Sequence, residues 1–211
     1  RLHRKIVVVD GAVAWTGSMN MVDPRYFKQD SGVGEWVDAM VRIEGPVAGL
    51  LAAVMISDWI AEGGDALDQV VAATRIVPSP AMGTAPVQVL ASGPGESGDG
   101  LLQMMLSLIN AARREVVLTT PYFVPEDSLV LALRGAALRG VRVAVVLPQR
   151  IDSLLVRHAS RSFFDEVMSA GGEIYEFTGG LLHTKSITAD RQIALLTERN
   201  QTIAARKINL S

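Results

Sequence analysis

The stretch LLHTKSITAD, Leu181–Asp190, and the stretch LHRKIVVVD, Leu2–Asp10, carry one pattern twice. Each holds a His, one intervening residue, a Lys, four further residues and an Asp, set in an apolar run of β-forming residues. His3 and His183, Lys5 and Lys185, and Asp10 and Asp190 are the repeated polar residues. Two independent matches in a chain of about this length arise on the order of once in ten thousand sequences of average composition. Two of the three histidines fall inside the pattern. In an extended strand, side chains two apart share a face, so each His projects beside its Lys. The Asp stands at an odd offset from the His. It either orients something around the strand end or acts toward the other copy.

Outward from these stretches, the sequence reads as α/β. Strands are expected at Lys5–Asp10 and Val13–Thr16, the latter leading into GSMN. EWVDAMVRIEG alternates like one strand, with Val37, Ala39, Val41 and Ile43 on one side. A helix follows from Val47 to Ala61. Its apolar run is about ten residues, short of the ~20 a bilayer span needs, so it reads as a buried helix. Residues 74–100 are rich in Pro, Gly, Ser and Thr and read as a linker, within which PVQVLAS reads as the first strand of a new unit. Beyond it, strands and helices alternate: helix Leu101–Arg114, strand Glu115–Thr120, a helix from Pro125 to about Arg139, strand VRVAVVL, helix Ser153–Ala170, strand EIYEF, a turn at Gly179–Gly180, and a strand carrying the second motif. That order indicates a sheet covered on its faces. The expected domains are 1–73, with motif one; 74–100, linker and first strand; and 101–211, with motif two. Motif two has an α/β unit ahead of it and motif one has two residues, so the unit around motif one is expected to lack its front portion.

Composition bounds the rest. Nearly half the residues are apolar, 49%, which is enough for a sizeable core. The net charge of −2 gives no whole-chain footprint for nucleic acid. The absence of cysteine excludes disulfides and cysteine-ligated zinc. GPGESGDG is Gly-rich but lacks the Gly-Lys-Ser/Thr ending of a P-loop.

The chemistry of the triplets points to phosphate. Imidazole attacks when neutral and donates a proton when charged. Lys supplies a compact cation, and Asp fixes an imidazole tautomer. Two such His–Lys pairs meeting would neutralise phosphoryl oxygens, with one His attacking phosphorus and the other protonating the leaving oxygen. No metal or cofactor is required, because side chains supply the cations.

HRKIVVVD followed by GSMN, together with LLHTKSITAD, resembles the tandem HxKxxxxD motif of the phospholipase D superfamily. EWVDAMVRIEGPVAGLL, TTPYFVPEDSL, LRGVRVAVVLP, DSLLVRHASRSFFDEVMSAGGEIYEF and GGLLHTKS are similar to the bacterial cardiolipin synthases within it. The likeness runs from residue 1 to about 190. It implies two α/β halves related by a pseudo-two-fold, with the active site at their interface. It implies a phosphohistidine intermediate and transfer of a phosphatidyl group between two phosphatidylglycerol molecules, releasing glycerol. His3 is assigned as nucleophile and His183 as general acid, an order the sequence leaves open. The resemblance also implies anionic phospholipid partners (phosphatidylglycerol and cardiolipin), a place at the bacterial inner membrane, membrane-spanning helices upstream, and no nucleic acid. Ser18 and Asn20 in GSMN are candidates to hydrogen-bond phosphate oxygens or the catalytic groups. Tyr122, between a strand end and a helix start, is a candidate for the pocket rim. Arg157, Ser160 and Arg161 share one helical face that reads as solvated, and His158 reads as structural.

The likeness weakens at the end. Where the pattern expects Gly and Ser or Thr, the chain has Thr197 and Glu198, while Asn200 keeps its register as a candidate binder. A Glu beside a phosphate repels it. The alternatives to the transferase are a phospholipase D-like nuclease using the same histidines and, favoured by Glu198, an inactive degenerate paralogue or fragment.

Overall fold

The computed structural model describes residues 3–23, 25–26, 32–63, 66–74, 76, 79–92, 99–151 and 154–197. In chain order these form β1 (Ile6–Val9), β2 (Val13–Gly17), β3 (Trp36–Val37), β4 (Met40–Glu44), α1 (Pro46–Ala61), α2 (Leu67–Thr74), α3 (Gly100–Ala111), β5 (Glu115–Thr119), α4 (Asp127–Leu138), β6 (Arg142–Pro148), α5 (Leu154–Ser162), α6 (Phe164–Ser169), β7 (Glu173–Phe177), β8 (Leu181–Leu182), β9 (Ser186–Ala189) and β10 (Ile193–Leu196). The chain divides into two compact units, one of residues 1–17 with 40–96 and one of residues 18–39 with 97–211.

In the first unit, β1, β2 and β4 form an antiparallel sheet with β2 central. β1 alternates, with Ile6 and Val8 turned to the core and Val7 and Val9 exposed. Helix α1 starts with Pro46, whose missing N–H costs nothing in a first turn. Its buried Ala48, Leu51, Ala52 and Ile56 recur at helical spacing. Ala14, Ala48 and Leu51 form the small core, with Ile43 and Val89 against it. Pro86–Ser92, expected as the first strand of a new unit, carries no strand. The segment belongs instead with the first unit, where Val89 meets that core and the Ser92 carbonyl accepts the Arg4 guanidinium at 3.0 Å. Arg4 also pairs with Asp58 of α1.

The second unit is built on a five-stranded sheet in the order β10-β9-β5-β6-β7. β5, β6 and β7 are parallel, while β9 and β10 run antiparallel. β6 lies between two parallel neighbours, which explains its near-continuous burial from Val143 to Pro148. Val116, Leu118, Val145 and Ile187 of the sheet pack with Ile109 of α3, Leu133 of α4 and Val167 of α6 in one apolar cluster. The helix expected over 153–170 is broken at Phe163 into α5 and α6, and the Phe163 ring packs edge-on to Phe123, their centroids 6.4 Å apart. The buried Ser160 hydroxyl accepts the Phe123 N–H at 3.2 Å, tying α5 to the loop after β5.

Both repeated stretches end in the same hairpin. Val9 pairs with Val13, and Ala189 with Ile193. Asp10 and Asp190 both take left-handed conformations, φ 53° and 55°. The Asp190 carboxylate accepts the N–H groups of Glu115 (2.9 Å), Arg114 (2.7 Å) and Arg113 (3.0 Å). Those N–H groups hold it below the ordinary carboxylate range. Of the two roles left open by its odd offset, Asp190 takes the first: it fastens the end of β9 to the start of β5.

The run EWVDAMVRIEG is not one strand. It divides into β3, paired in parallel with β8, and β4, paired with β2. Asp38 and Ala39 form the break, where the Ser18 hydroxyl accepts the Ala39 N–H at 3.0 Å and the Ser18 N–H donates to the Ala39 carbonyl at 2.9 Å. The β3–β8 pairing needs Gly180, whose φ is 133° and where an added Cβ would stand 2.3 Å from the Glu35 carbonyl oxygen. Gly180→Ala is therefore expected to cost roughly 1–3 kcal/mol and to disrupt the β3–β8 pair. Chemical denaturation measures the first, and amide exchange at Leu181 and His183 the second.

Candidate functional site

The second motif does not lie on one strand. β8 ends at Leu182, β9 begins at Ser186, and His183, Thr184 and Lys185 occupy the gap. Register still fixes their place. Ser186 pairs with Thr119, so this gap lies at the carboxyl end of the parallel strand β5. Ligands of open α/β sheets collect at that end. The His183 N–H donates to the Val37 carbonyl at 2.8 Å, which extends the β3–β8 pairing by one bond.

The side chains converge here. His183 is 6% exposed. Its Nδ1 lies 2.6 Å from Asp38 Oδ1, so an Nδ1–H donates to that carboxylate. Trp36 covers the ring, with centroids 4.5 Å apart. Lys185 Nζ stands 3.0 Å from His183 Nε2 and donates to the His183 carbonyl at 2.8 Å. Lys185 is 2% exposed, and a buried charge is tolerated only with such partners. The shared face of His and Lys holds here although the strand does not. The Ser18 hydroxyl, also buried, donates to Asp38 Oδ1 at 2.7 Å. Burial pushes the Asp38 carboxyl up, but the bonds from His183 and Ser18 and the charges of His183 and Lys185 outweigh it, and the net shift is downward.

The first motif shows the same His–Lys contact in a more open setting. Lys5 Nζ lies 2.8 Å from His3 Nδ1 and donates to the His3 carbonyl at 2.7 Å, and His3 is exposed. Both residues precede β1, as His183 and Lys185 precede β9. Asp10 sits in the hairpin turn and is exposed. Asn20 is half-buried, and its carbonyl accepts the Val22 N–H at 2.8 Å. Tyr122 is half-buried just past the end of β5, where its carbonyl accepts the Thr120 hydroxyl at 3.1 Å. Asn200, Glu198 and the Arg157 side chain lie outside the described residues. His158 and Arg161 are exposed on α5.

Asp38 was not among the residues singled out from sequence. A lone carboxylate inside the apolar run EWVDAMV was the available signal. Among the described residues, no group of three or more His, Cys, Asp or Glu side chains is placed to hold a metal ion.

Comparison with known proteins identifies the family. A family profile described as "Cardiolipin synthase, PLD-like domain" matches residues 105–210. The chain is 49% identical over 196 residues to cardiolipin synthase A of Serratia proteamaculans (strain 568) and 50% identical over 196 residues to cardiolipin synthase A of Yersinia pseudotuberculosis serotype O:1b (strain IP 31758). Each match covers 93% of this chain and 40% of the relative, so the chain spans well under half the length of those proteins. In fold it is similar to the crystal structure of phosphatidylserine synthase from Haemophilus influenzae Rd KW20, with a TM-score of 0.62 at 18% identity, covering 95% of this chain and 54% of that one. Motif, fold and family profile agree, and the chain belongs to the phospholipase D superfamily, in the family of cardiolipin synthase PLD-like domains.

Proposed function

We propose that this chain carries the catalytic residues of a phosphatidyltransferase of cardiolipin synthase type, joining two phosphatidylglycerol molecules into cardiolipin and glycerol. The observation that carries this reading is the buried Asp38–His183–Lys185 constellation, matched by a second His–Lys pair at the start of the chain. The similarity to cardiolipin synthase A proteins supports the choice of substrate.

The steps balance on these side chains. His3 attacks the phosphorus of the first phosphatidylglycerol, and the P–O bond to its glycerol breaks. His183 acts in its imidazolium form, with protons on both nitrogens, and gives the Nε2 proton to the departing oxygen. A hydroxyl of the second phosphatidylglycerol then attacks the phosphohistidine, the P–N bond breaks, and the hydroxyl proton returns to His183 Nε2. Asp38 fixes the Nδ1–H, which leaves Nε2 as the atom where the proton moves, and its charge offsets the imidazolium. Lys5 and Lys185 neutralise the non-bridging oxygens as charge builds. Ser18 holds Asp38, and Asn20 and Tyr122 border the head group. The substrates are bilayer lipids, so the reaction takes place at the inner membrane surface. Among the described residues, no helix is long and apolar enough to cross a membrane.

Intact protein is expected to convert labelled phosphatidylglycerol into cardiolipin and glycerol, with His3→Ala and His183→Ala each losing roughly 100- to 10,000-fold. A p-nitrophenyl phosphodiester separates the two roles, because its leaving group needs no proton. His183→Ala should keep the nitrophenolate burst on it, and His3→Ala should lose it. Cleavage of DNA without lipid turnover would contradict the transferase reading.

The Asp38 carboxyl lies below its ordinary value of 3.8 in the folded protein. Its ionised form therefore stabilises the fold above that pH, and the contribution is lost as pH falls through the lower, folded value. Asp38→Asn is expected to cost about 1–3 kcal/mol near neutral pH. The gap in melting temperature to the wild type should close below pH ~3.8.

A further inference from the structure

Beside the catalytic gap, the second unit holds a cleft of about 340 Å³ that the steps above leave unused. Val33 and Gly34, Gln149 and Arg150, and the run Phe177–Gly180 line it. Its volume falls in the range of small-molecule sites. Gln149 and Arg150 follow β6 and Thr178 follows β7, so the cleft opens at the carboxyl ends of parallel strands, where ligands bind in this class of sheet. The Gln149 N–H donates to the Phe177 carbonyl at 2.9 Å, fixing those two walls together. Arg150 Nη1 reaches the Gly32 carbonyl at 3.5 Å, a long and weak bond that leaves the guanidinium available. The wall at Gly180 leads through β8 into His183, and three extended residues span at most about 11 Å.

Cardiolipin carries two phosphates on one glycerol. When the second phosphatidylglycerol attacks, its hydroxyl sits at the reacting phosphorus while its own phosphate sits at the far end of the same three-carbon bridge. That second anion lies beyond the first, whose charge Lys5 and Lys185 already neutralise, and it needs a separate cation. We infer that the cleft binds the phosphoglycerol head of the acceptor lipid, with Arg150 gripping the acceptor's phosphate and Gln149 and Thr178 facing its glycerol oxygens. Guanidinium suits this task, because it presents paired N–H donors to a phosphate. The inference rests on the transferase reading and adds the basis of acceptor choice.

The test uses intact protein in vesicles of phosphatidylglycerol with ethanol present. The donor is then the same for both products, and only the cardiolipin-forming acceptor carries a phosphate. Arg150→Ala should lower the ratio of cardiolipin to phosphatidylethanol by roughly 10- to 100-fold, with Arg150→Lys in between. An unchanged ratio overturns the assignment, whether total turnover stays or falls. A wild type that makes phosphatidylethanol but no cardiolipin overturns the cardiolipin-forming reading itself, which separates the two failures.

Discussion

The site depends on one hydrogen bond, 2.6 Å long, between the Nδ1–H of His183 and the carboxylate of Asp38. These residues lie far apart in sequence, and the β3–β8 pair brings them together. The bond is shielded by the Trp36 ring and braced by the Ser18 hydroxyl, so it forms with little competition from water. A ring held this way has one orientation, and its other nitrogen faces Lys185. Without the carboxylate, the imidazole would rotate in its pocket and a buried cation would lose the anion that offsets it.

The two copies of the motif share a hairpin but not an environment. Each places a His and a Lys just ahead of a strand, turns at an Asp in the left-handed conformation, and returns in the same register. In the second unit the pair is buried among aromatic and carboxylate neighbours, whereas His3 is exposed. A buried imidazole beside a carboxylate suits work that begins and ends with a proton. The repeat thus supplies two chemically similar His–Lys pairs in different surroundings.

What the sequence made legible followed from local pattern. The apolar runs of β5 and β6 and the helix at 46–61 read directly, because burial and period express them. The side-by-side projection of His and Lys also held, although both pairs lie in gaps next to strands. What was not legible depended on distant partners. EWVDAMVRIEG has a strand's alternation throughout, and only the separate pairing of β3 with β8 and β4 with β2 divides it. That division creates the turn that aims Asp38, so Asp38 was missed for the same reason. PVQVLAS has a strand's composition but lies unpaired against the α1 core. The repeated Asp190 signalled a role, and only the fold could tell its three backbone donors from an imidazole.

Nitrogen-15 spectra of intact protein labelled at histidine test the central bond most directly. A proton resident on His183 Nδ1, strongly deshielded by a carboxylate and shifted in Asp38→Asn, is the predicted result. An Nε2–H tautomer with Nδ1 bare, or a signal that ignores the loss of Asp38, would contradict it.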